Sequence, residues 1–187
     1  MKIYHTRIWG EISFYQAILS EEKILLESFE HYQKRSSRNR YKILSSNGLI
    51  SLSIPLQKGK NNKKPIKDVK ISYDENWVSK HLNAIKSAYA SSPYFHYVYP
   101  EISEIYNKKP TYLFDLNLES IDFILNFIQS DVKIELTTEF RGEKSNEVTS
   151  FDINPYPQVF EYKNGFQPID SMLDLVFCAG PESILYL

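Results

Sequence analysis

The sequence has one cysteine, Cys178, so no disulfide can close within the chain, and its four histidines are scattered without the spacing of zinc ligands. No apolar run approaches the roughly 18 residues of a membrane span. Residues 1–20 are broken by Arg7 and Glu11, which does not fit a secretory signal peptide. Also missing are a Walker loop, a Gly-x-Gly-x-x-Gly turn, a His-Glu-x-x-His helix, a Gly-x-Ser-x-Gly elbow and a clustered carboxylate site. ATPase, dinucleotide and zinc-hydrolase chemistry therefore lack support; no metal site is expected, and the cofactor is unknown. An overall charge of one sign is lacking too, since 22 basic residues face 23 acidic ones. These absences describe a soluble, cytoplasmic protein. A chain of 187 residues fits one domain spanning 1–187, large enough to bury roughly 70 % of its unfolded surface without staples.

Aromatic residues are plentiful, at 14 % of the chain, and the 14 tyrosines outnumber the 11 phenylalanines. Each phenol needs a hydrogen-bond partner, which places such rings at core edges or around a polar cleft; ordinary packing is the competing explanation.

The balanced total hides a strong local asymmetry. Between Gln33 and Lys70 eleven lysines and arginines face one carboxylate, Asp68, so this segment carries +10 and the remainder −11. A localised positive potential on a globally neutral protein favours a small anion over a nucleic acid. Residues 58–65 have no apolar anchor and read as an exposed loop with solvated lysines. Residues 32–41 differ, because they join two strand candidates and hold Arg38 and Arg40 near the end of a sheet. Guanidinium forks so placed can grip a phosphate or carboxylate with two hydrogen bonds, or pair with surface carboxylates.

Periodicity gives a mixed α/β architecture. A strand over 2–9, a helix over 12–19 and a strand over 23–29 make a β-α-β start. A β-hairpin follows over 41–54, turning at Asn47-Gly48, with Ile50, Leu52 and Ile54 alternating with serines. Residues 69–72 suggest a further short strand. Helices are expected over 76–91, where Val78, Leu82, Ile85 and Tyr89 share a face, over 97–108, and over 118–128. Residues 133–138 alternate like a returning strand, 141–150 are polar and turn-rich, and Pro155 and Pro157 forbid a regular helix over 153–165. Ser171 with Asp174 resembles the capping pair of a last helix stopped by Gly180-Pro181.

Few residues carry obvious chemistry. Trp77 and His81 lie one helical turn apart, so ring and imidazole project from one edge of their helix; His81 is either a proton carrier or a hydrogen-bonded structural residue. Ser87 has no nucleophile environment. Asp115 and Asn117 precede the expected helix at 118, as caps or as ligand contacts.

In this order the residues resemble the WbqC-like proteins of bacteria. The resemblance rests on Tyr32-Gln33-Lys34 leading to Arg38-Asn39-Arg40, Leu52-Ser53-Ile54-Pro55, Trp77 to His81, Ser87-Ala88-Tyr89 through Phe95, Phe114-Asp115-Leu116-Asn117, and the tail from Tyr156 to Gly180-Pro181. Where many members open with a His-Gln-Pro segment and a Pro-Trp pair, this chain has Trp9-Gly10-Glu11. The resemblance implies a link with O-antigen and related surface-polysaccharide assembly, whose precursors are phosphate-bearing activated sugars. It suggests a transferase, by acyl or aminoacyl transfer to an amino group, or alternatively a non-catalytic binding or scaffold protein for a glycan precursor or partner enzymes. On that basis His81 and Asp115 are the candidate proton carriers. Tyr32, Lys34, Arg38, Asn39, Arg40, Trp77, Tyr89 and Asn117 are the candidate contacts for a phosphate- or carboxylate-bearing small molecule such as a nucleotide sugar.

Overall fold

The computed structural model describes residues 1–141 and 152–187. Its centre is a three-stranded parallel sheet in which β2 (Lys23–Glu27) lies between β1 (Lys2–His5) and β5 (Lys133–Leu136). Parallel neighbours need a crossover, and between β1 and β2 it is supplied by α1 (Ile12–Leu19). The central strand is buried from Ile24 to Glu27, which explains why it reads as an unbroken apolar run with no alternation. A separate antiparallel hairpin, β3 (Arg40–Ser45) with β4 (Gly48–Ser53), pairs Ile43 with Ile50 and Tyr41 with Leu52.

Helices fill the rest. α2 (Trp77–Tyr89), α3 (Phe95–Asn107) and α4 (Leu113–Phe127) pack in sequence, and α2 also packs on β3. A single turn, α5 (Glu161–Asn164), precedes α6 (Met172–Ala179), whose eight residues are all buried among α1, α3 and β3. The Ser171 hydroxyl accepts the Asp174 N–H as the N-cap of α6.

Several boundaries differ from expectation for identifiable reasons. β1 stops at His5, and the chain then bends through left-handed backbone at Trp9 (φ 59°) and Gly10 (φ 68°). A side chain at Gly10 would meet Tyr15 Cε2 at 2.7 Å. The helix expected at 118 starts at Leu113, so Asp115 and Asn117 lie inside it and cap nothing. Residues 69–72 make only isolated bridges, Lys70 with Tyr112 and Ile71 with Leu56. Gly180 ends α6, but Pro181 then opens a 3-10 turn over Gly180–Tyr186. Of the polar stretch at 141–150, all but Arg141 lies outside the described residues.

Candidate functional site

The turn between β2 and β3 is built rigidly. Tyr32 N–H donates to the Lys64 carbonyl at 3.0 Å, and the Tyr32 hydroxyl donates to Asn39 Oδ1 at 2.9 Å. Asn39 in turn donates to the Ile54 carbonyl at 2.9 Å, and the Ser37 carbonyl accepts from Ile8 N–H at 3.1 Å. The pinned turn sends its guanidiniums in opposite directions, because Arg38 is buried while Arg35 and Arg40 are exposed.

Arg38 enters a closed network at the carboxyl ends of the parallel strands. Its Nε and Nη2 donate to the two oxygens of Glu30 at 3.2 and 2.8 Å, and Nη2 also contacts His5 Nδ1. Arg38, Glu30 and His5 are 5 %, 2 % and 2 % exposed. Burial, reinforced by the positive charge of Arg38, pushes His5 down to about 3, so its imidazole is neutral. Burial also raises the Glu30 carboxyl, against the opposing pull of Arg38. Beside it Glu27 accepts from Phe29 N–H, the Thr137 hydroxyl and Arg141 N–H.

Arg35 and Arg40 face a different environment. They line a cavity of about 370 Å³ together with Lys42, the 8–11 segment, Ser36, Ser37, Tyr41, Ser51 and the Asp170-Ser171 pair. Among the described residues no carboxylate lies within ion-pair distance of Arg35, Arg40 or Lys42. The two acidic wall residues are held elsewhere. Glu11 pairs with Arg7 at 2.8 Å, and Asp170 accepts the Ser13 N–H at 2.9 Å and the Ser13 hydroxyl at 2.7 Å. Since Glu11 makes no side-chain cap of its own, Asp170 is the cap of α1, reached across the fold. The cavity thus sits beside the N-termini of both α1 and α6, which Asp170 and Ser171 already cap.

The other candidates lie apart from one another. Lys34, Tyr32, Asn39 and Arg40 border a neighbouring shallow depression that runs along residues 53–61. His81 is buried behind the cavity wall in a directed chain: Trp9 Nε1 donates to the Tyr106 hydroxyl at 2.7 Å, that hydroxyl donates to Tyr41 at 2.9 Å, and the Tyr41 hydroxyl lies 3.0 Å from His81 Nδ1. Burial lowers His81 to about 4, so its ring is neutral and Nδ1 is free to accept from Tyr41. Trp77 donates to the Ser72 carbonyl, Tyr89 donates to Asp174 while stacked on Phe177, and Asn117 donates to Thr6 and to the Arg38 carbonyl. Asp115 is exposed on the first turn of α4, its carboxyl raised by partial burial, and it does not line the cavity.

Arg40 is therefore the one sequence candidate that borders both hollows. Arg35, Lys42, Glu11 and Asp170 were not named as site residues from sequence, and Ser171 was read only as a helix cap. Asp170 carried a signal in standing just before the Ser171 cap, yet its partner Ser13 lies more than 150 positions away.

Fold and site together define a mixed α/β protein with a cationic surface cavity and, among the described residues, no cluster fit to hold a metal. A profile of the WbqC-like protein family matches residues 11–154, and the chain belongs to that family. Membership suggests a role related to polysaccharide biosynthesis. A Mycobacterium tuberculosis protein named Uncharacterized protein Rv1507c is 23 % identical over 212 aligned positions, covering 93 % of this chain and 91 % of the relative. No solved structure matches. Among the described residues no helix is long and apolar enough to cross a membrane.

Proposed function

We propose that the cavity between the β2–β3 turn, α1 and α6 binds the phosphate of an activated sugar, and that the chain is a transferase of bacterial surface-polysaccharide (O-antigen type) assembly. Acyl or aminoacyl transfer to the sugar is the favoured reaction. The observation that carries this reading is the trio Arg35, Arg40 and Lys42, which among the described residues makes no ion pair around a hollow of about 370 Å³. Two guanidinium forks and an ammonium suit a phosphate better than they suit a neutral ligand. Arg40 grips it from the β3 end and Arg35 from the turn, with Lys34 extending the basic surface around the rim. Arg38, Asn39 and Tyr32 act behind them, since their polar groups are spent on holding the turn. Any proton passing to His81 travels through the Tyr41 hydroxyl, which joins the cavity wall to Nδ1.

A second reading, a non-catalytic protein that holds a glycan precursor, is favoured by one observation: His81 is 5 % exposed and its ring is engaged. Incubating the protein with uridine diphosphate sugars and acyl thioesters, with mass-spectrometric detection, separates the two. Turnover supports the transferase; saturable binding without turnover supports the holder. Failure of the sugar nucleotides and of sugar 1-phosphates to bind at all removes both.

A further inference from the structure

The cavity holds charge of both signs, and the opposite charges do not meet. Arg35, Arg40 and Lys42 line it, as do Glu11 and Asp170, yet no cation of the trio reaches either carboxylate within ion-pair distance. Glu11 is neutralised by Arg7 at 2.8 Å. Among the described residues no cation lies within ion-pair distance of Asp170, though burial raises its carboxyl against the pull of Ser13 and Arg7; its two bonds come from the N–H and hydroxyl of Ser13. An ionised carboxylate offers about four acceptor positions, so about half of its capacity remains after Ser13 is served. The residue is partly exposed, which keeps that capacity in contact with solvent.

We propose that Asp170 is the specificity-determining residue of the site and selects sugars bearing a free amino group. The ligand is then bipolar, with its phosphate on the arginine wall and its ammonium on Asp170. This rests on the phosphate reading above and adds to it the residue that recognises the amino group of such a sugar. The capping role of Asp170 does not compete, because Ser13 occupies one position on each oxygen.

Calorimetry with three probes tests this: glucosamine 1-phosphate, glucose 1-phosphate and N-acetylglucosamine 1-phosphate. In the wild type the amino sugar is expected to bind about tenfold more tightly than the other two, the worth of one charge-assisted contact. Asp170→Asn keeps an oxygen for the Ser13 N–H but removes the charge, and should bring the three affinities together. Arg40→Ala should weaken all three alike. Equal affinities in the wild type overturn the amine preference and leave the phosphate reading intact; this comparison needs no variant to fold. A preference that survives in folded Asp170→Asn overturns the assignment to Asp170. Binding of none of the three removes the phosphate reading and this inference together.

Discussion

Arg38 and Arg40 stand two positions apart on one turn and meet opposite fates. Arg38 is sealed against Glu30 and His5, whereas Arg40 faces a cavity and, among the described residues, has no carboxylate within ion-pair distance. A buried ion pair loses in desolvation much of what it gains in attraction, so its use is to fix geometry; removing one partner strands the other. An exposed unpaired cation contributes little to folding and keeps its charge for a ligand. One arginine is thus part of the scaffold, and its neighbour is the one we propose to meet small molecules.

The sharpest way to break this contrast is Arg38→Ala. It leaves Glu30 buried without its guanidinium, and we expect a loss of about 3–5 kcal/mol, read as a lower urea midpoint at unchanged m-value. Replacing both partners with apolar residues, Arg38→Met with Glu30→Leu, should recover most of that loss. An Arg38→Ala protein with the wild-type midpoint would show that the pair does not hold the turn.

The closed side of the molecule also titrates. His5 is lowered to about 3 and His81 to about 4, from an ordinary 6.5. Between those values and 6.5 the unfolded chain binds more protons than the folded one, so stability is full above pH 6.5 and falls as acid is added. Each histidine contributes a slope of about 1.4 kcal/mol per pH unit in that window, opposed in part by Glu30, whose carboxyl is raised. Urea unfolding from pH 7 to pH 4.5 should show the decline, and His81→Gln should remove about half of the slope. A pH-independent midpoint would mean that the two imidazoles are not buried as neutral rings.

On the open side Arg40→Ala should leave the urea midpoint within about 0.5 kcal/mol of wild type. Its affinity for glucose 1-phosphate should nonetheless fall by about tenfold or more. A variant that binds normally would move the anion site to another surface, while one that unfolds would make Arg40 a second Arg38.

How much of this was legible beforehand follows the range of the forces involved. The strand-helix-strand start, the Asn47-Gly48 hairpin and the capped last helix rest on local periodicity and turn chemistry, and their positions match within a few residues. The sequence placed both arginines near a strand end but could not tell them apart, because the inward turn of Arg38 depends on Glu30 and His5 meeting it across strands. For the same reason Trp77 and His81 read as one edge of a helix beside the buried stripe that includes Tyr89, whereas β3, α3 and α6 close over the helix and bury all three. Asp115 and Asn117 looked like caps since nothing local announces that α4 begins at Leu113. Residues 6–9 lost their strand to two left-handed positions at Trp9 and Gly10, and only Gly10 hinted at the bend.

The smallest effect joins the two sides. The Tyr32 hydroxyl donates to Asn39 Oδ1, and Asn39 separates the inward arginine from the outward one. Tyr32→Phe removes that donor and leaves the amide oxygen short of a partner, at a cost of about 1 kcal/mol. If the turn is held chiefly by Arg38 and by the Asn39 bond to Ile54, sugar-phosphate affinity should stay within about threefold of wild type, less than one charged contact is worth. A double-mutant cycle with Arg40→Ala should then give a coupling below about 0.5 kcal/mol in affinity, as for sites that share no partner. A larger coupling would show that the tyrosine aims Arg40, which would make the scaffold and the cavity wall one mechanical unit.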